Sequence, residues 1–551
     1  MKLNTPVSVT TDVLVIGGGG AGLRAAIEAR ERGAEVLLVS TSRAGYGNNT
    51  AKAGGAFAAA TGWRDAKDNP DVHFRDTVLG GRYMNDQRLV QVMAEHAAQQ
   101  IADLERFGVN FRKFEGKIWV TGAPGHSYPR HVIADSGIGA GLSVPMRKYA
   151  LNAGVATRED VLITRLLVKD KAVVGAMSLD ERGSVFIFHA RSIILAAGGL
   201  GQVFLRTNNA ATATGDSYWL AYEAGLALKD MEFMQFHPTA LGRYGQRGLL
   251  YEAFVARAGG ILKNNRGEDV LKRHGMDDPT AVTRDMLARA IMLEVIEGRG
   301  VGGGVILDLS GVPQERLERM QRLLPAPSRT KRTFTVAPTA HFFMGGVNID
   351  EGCQTGLEGL YAAGEACAGV HGANRLAGNA ISEILVFGTI AGENAARRVL
   401  SMKAAPPVDQ ALVSQEVERL NILASARGTE DIRELRQSLK QTMWYKGGVV
   451  KSGQGLGEAL KEIAALKERW QSVAVSSHSE LCEALQLQAM LGVSEMICRA
   501  AQHRTESRGA HYRSDYPEEN NREWLKNIVI QKQGDRMVLS TVPVELVRVA
   551  P

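Results

Sequence analysis

Cysteine is scarce: Cys353, Cys367, Cys482 and Cys498 are the only four in 551 residues. That is too few for a disulfide framework in so long a chain, and no two have the spacing of a zinc or iron–sulfur site. Cys482 and Cys498 stand among Leu481, Leu485, Met490 and Ile497 and are expected to fill core. No stretch approaches the roughly 20 apolar residues of a membrane span. The first ten residues lack a basic region followed by an apolar core, so no secretory signal is expected. The expected location is the cytoplasm, or the inner face of a membrane peripherally through a partner. Neither sign of charge dominates, with 65 Lys and Arg against 59 Asp and Glu. The basic residues are dispersed, without long runs or interleaved aromatics. A pI near 9.0 is therefore weak ground for nucleic-acid binding, and a cationic substrate funnel explains it as well. Internal repeats and low-complexity tracts are also missing.

What is present is an ordinary globular composition, 45% hydrophobic and 23% charged, on a chain long enough for two to four domains. Residues 12–16 form an apolar run, 17–22 a turn, 23–32 a helix and 35–40 a second strand. Residues 86–107 repeat apolar positions (Leu89, Met93, Ala97, Ile101, Leu104) at helical spacing. Residues 161–168, 172–179 and 184–189 look like a short meander, and 193–195 like a separate buried strand leading into Ala196-Ala197-Gly198-Gly199. The pattern becomes less regular over 231–345, as an inserted domain would, and strand–turn character returns at 359–365. Residues 401–410, with Pro406-Pro407, read as a linker. Amphipathic helices follow, at 457–475 and 479–502.

Gly17, Gly19 and Gly22 make a GxGxxG set directly after a strand and opening a helix. Such glycines permit a tight turn and close approach of a pyrophosphate, whose charge the helix N-terminus favours. Ser40 stands at the end of the second strand, where an acidic residue usually holds the ribose of NAD. Two later segments, 336–346 and 371–379, set His341, His371 and Arg375 among small residues that let backbone approach a ligand. Arginine offers a planar charged fork that fits a carboxylate. Together these features point to a flavoenzyme acting on an anionic organic acid.

These residues resemble the flavoprotein subunits of succinate dehydrogenase and fumarate reductase, a group that includes L-aspartate oxidase. The resemblance spans about 11–399 and returns over about 443–524. It rests on Phe236-His237-Pro238-Thr239, Thr283-Arg284-Asp285, residues 338–346, residues 371–376 and Glu506-Ser507-Arg508-Gly509-Ala510-His511. The resemblance implies an α/β fold: a Rossmann-like FAD-binding domain (1–230 and 346–400), an inserted α+β capping domain (231–345) and a mainly helical C-terminal domain (411–551). It implies FAD held by Gly17, Gly19, Gly22, Ser40, Asn48, Gly54, Gly55, Asp216, Glu365 and Ser382, and no metal. Arg375 and His341 would grip one substrate carboxylate, His237 and Glu252 the far end, and Arg284 would shuttle the proton. The 506–511 stretch would pack the helical domain against the FAD domain.

Three departures stand out. Asn48 occupies the place of the histidine through which many members attach FAD, so the cofactor is expected to be non-covalent. Tyr251 replaces a threonine that binds the distal carboxylate. Val255 stands where the relay arginine is expected, with Arg257 two residues on. The expected activity is interconversion of CH–CH and C=C in a carboxylic acid, with electrons exchanged with a separate iron–sulfur protein. L-Aspartate oxidase-like amine oxidation and a flavin electron-transfer subunit without its own substrate are the alternatives. Without the resemblance, Arg284-Asp285 reads as a surface ion pair worth little, and Glu252 stands nearly even between a helix-surface carboxylate and a proton relay.

Overall fold

The computed structural model describes residues 2–241, 253–256, 258–320 and 330–551. At its centre is a seven-stranded sheet. β1 (Val7–Ile16) lies between β2 (Val36–Val39) and the strand Val185–Leu195, parallel to both, and Ala156–Arg158 extends the β2 edge. Leu360–Ala362 also pairs in parallel with Val185–Leu195, while Ala172–Asp180 and Val161–Lys169 continue the sheet antiparallel. Val13, Leu14 and Val15 are fully buried, as the unbroken apolar run requires, because a parallel sheet is covered on both faces. α1 (Gly20–Glu31) covers one face and packs along the helix Asn379–Ser401.

This topology decides where a ligand can sit. The parallel strands ending at Ile16, Leu195 and Ala362 finish at the same edge, and their exit turns at 17–20, 196–199 and 363–365 meet there. The crevice beyond the carboxyl ends of parallel strands is where open α/β sheets bind ligands.

A second sheet is built from Met234–Ala240, Thr333–Phe343, Val305–Asp308 and Ile261–Lys263, in that order. With the helix Arg284–Ile296 it encloses its own core, including Leu262, Val270, Leu287, Ile291, Val305, Leu307 and Val336. A small sheet of β3 (Ala56–Ala58), His131–Ile133 and Val120–Thr121 lies beside the central one. The helices Ile432–Lys446, Gly453–Trp470 and His478–His503 pack together, and their apolar residues join the main core.

Several elements differ from the sequence reading. The strand expected at 193–195 is the end of one eleven-residue strand, Val185–Leu195, rather than a separate piece. The helix expected over 86–107 is two, Gln87–His96 and Gln100–Arg106; both keep the same buried positions, so periodicity could not expose the break. The C-terminal region adds a hairpin, Lys526–Gln533 and Arg536–Pro543, whose first strand pairs with Leu228–Lys229. Near it, Arg504 is fully buried. It donates to Glu232 at 2.6 Å, Glu506 at 2.9 Å and the carbonyls of Trp524 and Lys526 at 3.0 and 2.8 Å. Arg508 donates to the Arg82 carbonyl at 3.2 Å, and Ala510 N to that of Ala373 at 2.9 Å. The 506–511 stretch thus ties the C-terminal region to segments of the sheet domain.

Candidate active site

The crevice opens into a cavity of about 1170 Å³. Its floor is the glycine turn. A Cβ on Gly17 would lie 2.1 Å from the Ala196 carbonyl oxygen, and φ there is +123°; one on Gly22 would lie 1.9 Å from the Gly17 oxygen. Only glycine lets β1, α1 and the 196–199 turn come so close. Gly19 differs: a Cβ there would meet nothing nearer than Thr50 Oγ1 at 3.8 Å, so this face is open to a ligand. α1 begins here with no acidic residue in its first turn and no side chain on Gly19 to cap it; Thr50 Oγ1 takes Gly20 N at 3.0 Å, and the next N–H groups of the turn are left for a phosphate.

Residues 48–54 form the next wall. Asn48 Oδ1 accepts from Ala51 N at 3.0 Å, starting the turn α2 (Asn49–Lys52), and its Nδ2 donates to the Gly18 carbonyl at 3.1 Å. Asn49 Nδ2 donates to Glu365 at 3.1 Å, and Phe343 N donates to the other Glu365 oxygen at 3.0 Å. Burial pushes the Glu365 carboxyl up to about 7. Asp216 opens the helix Asp216–Glu223 and accepts from Thr214 Oγ1 at 3.0 Å; burial pushes it up to about 6.

The second sheet supplies the other wall. Register slips between Gln235–Phe342 and Phe236–Ala340, so His341 is the extra residue of a bulge; a second slip follows His237. Bulges re-aim side chains, and these two bring the His237 and His341 rings to 5.5 Å between centroids. His341 Nδ1 is 3.2 Å from Asn208 Oδ1. Arg375, nearly buried, donates from Nη2 to Gln235 Oε1 at 2.8 Å and from Nη1 to the Leu376 carbonyl at 3.1 Å, with its guanidinium 4.9 Å over the Phe342 ring. Arg284 sits in the first turn of its helix. A cation there opposes the helix dipole by about 0.3–1 kcal/mol, so helix stability does not account for it. Asp285 instead accepts from Asn374 Nδ2 at 3.1 Å.

The cavity is lined by Gly17, Gly19, Ser40, Asn48, Gly54, Asp216, Glu365, His237, Arg284, His341 and Arg375. Gly22 acts beneath it as a packing residue. Gly55 and Ser382 do not line it: Gly55 packs against the Ile138 backbone, and Ser382 donates to the Ala58 carbonyl at 2.6 Å, fixing its helix to β3. Glu252, like Tyr251 and Arg257, lies outside the described residues. His371 is corrected by the structure. It pairs with Glu383 at 2.9 Å, both buried, and packs on Phe342 away from the cavity. Cys367 is buried, which pushes its thiol well up, and it too stays off the cavity wall. Sequence reasoning missed Gln235, Asn208 and His131. Gln235 had a signal, because residues two apart on a strand share a face and His237 was already singled out; His131 had none.

Residues 12–381 match the FAD binding domain family, and residues 436–551 match the fumarate reductase flavoprotein C-terminal family. The chain belongs to the fumarate reductase/succinate dehydrogenase flavoprotein family. It is 38% identical to a fumarate reductase (CoM/CoB) subunit of Methanothermobacter marburgensis, over 95% of this chain and 97% of that one. It is 34% identical to the succinate dehydrogenase flavoprotein subunit of Coxiella burnetii, over 95% and 94%. Its fold superposes on an E. coli quinol fumarate reductase FrdA variant with a TM-score of 0.91, at 28% identity, covering 99% of this chain and 98% of the other. This flavoprotein is thus an FAD-dependent oxidoreductase acting on CH–CH groups. The open face at Gly19 and the α1 N-terminus, which carries no acidic residue in its first turn, fit the pyrophosphate of that cofactor. No described helix is long and apolar enough to cross a membrane.

Proposed function

We propose that this flavoprotein interconverts a CH–CH unit and a double bond in a carboxylic acid, with Arg375 and His341 gripping a carboxylate and Arg284 moving the proton. One observation carries the proposal: Arg284, His237, His341 and Arg375 come from four separate segments yet line the cavity that contains the glycine turn. Bound FAD supplies the hydride acceptor and donor. The chain's own part is to bind, orient and move a proton. Gln235 holds one arm of the Arg375 guanidinium and fixes the plane in which its fork meets a carboxylate. Arg284 gives its proton to the carbon next to the reduced one. With a pKa above 12, arginine is a poor resting acid, so the proton moves only as negative charge builds beside it. The dehydrogenation direction uses the same groups in reverse.

Glu252 is proposed to hold the far end of the substrate with His237. Val255, where the resemblance sets a relay arginine, is 4% exposed in the core of the second sheet, so the relay must come from another group. Asn48 is committed to Ala51 and Gly18 and has no imidazole, which supports non-covalent FAD. The cysteines lack cluster spacing, so we assign electron exchange to a separate iron–sulfur protein that docks the chain peripherally. The relatives are named as components of larger enzymes, which agrees with this, and their fumarate and succinate chemistry weighs against amine oxidation.

The test is anaerobic flavin absorbance of the purified protein with succinate, L-aspartate and bulkier succinate analogues, and, after dithionite reduction, with fumarate and other unsaturated acids. Bleaching or reoxidation by an acid without ammonia release is expected. Release of ammonia, or silence across the panel, would refute the proposal. Acid denaturation should release all of the FAD.

A further inference from the structure

The small sheet presents to the cavity a group that the proton and hydride chemistry does not use. His131 lies on the middle strand of that sheet, opposite Ala58 on one side and Thr121 on the other. Its neighbour Arg130 is fully buried and paired with Asp68 at 2.9 Å and Asp76 at 2.8 Å, so the backbone holding the ring is firmly fixed. The ring lines the cavity together with Arg284, His341 and Arg375.

The protonation of this ring can be read from its partners. His131 Nε2 is 2.8 Å from the Ala377 carbonyl oxygen, and His126 Nε2 is 2.8 Å from the same atom. A carbonyl only accepts, so both Nε2 atoms carry hydrogen. Nδ1 is the remaining polar atom of His131. Burial, with the positive charges of Arg284, Arg130 and Arg375, holds this imidazole down at about 4. The ring is therefore neutral near pH 7, and Nδ1 offers a lone pair.

A proton wire along His73, His126 and His131, whose ring centroids are 6.0 and 5.2 Å apart, fails on the same ground. Burial holds His73 down at about 3 and His126 well below its usual range, and an efficient relay needs groups that titrate near the working pH. What the site offers is a fixed acceptor among cations. A carboxylate has only lone pairs to present to Nδ1, whereas a hydroxyl or amide N–H can donate to it.

We propose that His131 is a specificity-determining residue whose Nδ1 accepts a hydrogen bond from a hydroxyl or amide on the substrate, so that the enzyme favours acids carrying such a donor over plain diacids. The assignment rests on the carboxylate-binding reading of this cavity and names the substrate class it admits.

The test uses the FAD-loaded full chain and three acids with no CH–CH unit to dehydrogenate: malonate, hydroxymalonate and malonamate. Dissociation constants are read from the change in flavin absorbance. One net hydrogen bond corresponds to a preference of about three- to tenfold for a donor-bearing acid over malonate. In His131→Phe, which keeps a ring and removes the acceptor, the ratio should fall to about one. Equal affinities in the wild-type protein overturn the assignment without any variant, should the Phe variant fail to load FAD. A preference that survives in His131→Phe overturns it as well. So does a variant that shifts the flavin spectrum while keeping the ratio, because the ring would then serve the cofactor. If malonate binds without any preference among the three acids, only the His131 assignment falls. If no acid perturbs the flavin, the carboxylate site falls and this inference with it.

Discussion

Glu365→Gln should change how the stability of the FAD-free protein depends on pH, and the size of the change follows from the site. The Glu365 carboxyl is buried between Phe343 N and Asn49 Nδ2, and burial raises it from 4.5 to about 7. The charged form is thus disfavoured in the fold. Below pH 4.5 the group is neutral in both folded and unfolded chains and has no effect on the balance. Between pH 4.5 and about 7 the unfolded chain releases a proton that the folded chain retains, so stability falls as pH rises; above 7 the loss is complete. At 1.36 kcal/mol per pKa unit, the loss between pH 5 and pH 8 amounts to about 2.5 kcal/mol.

Glutamine keeps an acceptor for Phe343 N and does not titrate. Urea unfolding of wild type and Glu365→Gln at pH 5 and pH 8 gives the difference directly. The raised carboxyls Asp216 and Asp230 are present in both proteins and cancel. The variant should be less stable than wild type at pH 5, where it lacks one bond to Asn49, and should gain about 2.5 kcal/mol on wild type by pH 8. Parallel pH dependence in the two proteins, within about 0.5 kcal/mol, would refute the reasoning, because it would mean that water reaches this carboxyl and its titration is ordinary.

Arg284→Ala should leave the yellow FAD complex intact and cut turnover by about 10²–10⁴, the usual worth of a positioned acid; substantial residual activity would sink the shuttle assignment. Arg375→Lys exchanges a planar fork for a point charge. It should weaken binding of an acid by about 10- to 100-fold, the loss of one charge-assisted bond, with FAD content unchanged; an affinity within about twofold of wild type would remove Arg375 from the site. Arg504→Met strands Glu232 as a buried charge, while Glu506 keeps its two bonds from Arg508. A loss of about 3–5 kcal/mol is expected in urea unfolding, and near-wild-type stability would show that Glu232 takes up a proton instead.

The parts legible in sequence were those carried by local pattern. An apolar run followed by GxGxxG specifies a strand, a turn and a helix, and glycine at 22 is demanded by its contact with the Gly17 carbonyl in the same βα unit, although glycine at 17 answers to the distant Ala196. Arg375 and His341 were legible because their segments combine small residues with a cation or imidazole. The break at 97–99 was not, since the two short helices bury the same face that one long helix would. The misreading of His371 has a comparable cause: a histidine in a glycine-rich segment looks the same whether its partner is a ligand or Glu383, twelve residues on and one turn into a helix.

His131 shows the deeper limit. Its place in the cavity depends on three segments meeting: the strand that carries it, the Ala377 carbonyl that takes its Nε2 hydrogen, and Arg130 with Asp68 and Asp76, which hold that strand. None of these spacings repeats, and each pairing joins residues from 54 to 246 positions apart. The same holds for Gln235 and Arg375, 140 positions apart. Residues that contact a substrate can be guessed from their chemistry, but those that fix the plane of a guanidinium or the tautomer of an imidazole depend on who their neighbours are. In this flavoprotein the groups expected to do chemistry were therefore more visible in the chain than the groups that aim them. Substrate choice, which depends on that aim, has to be read from the fold.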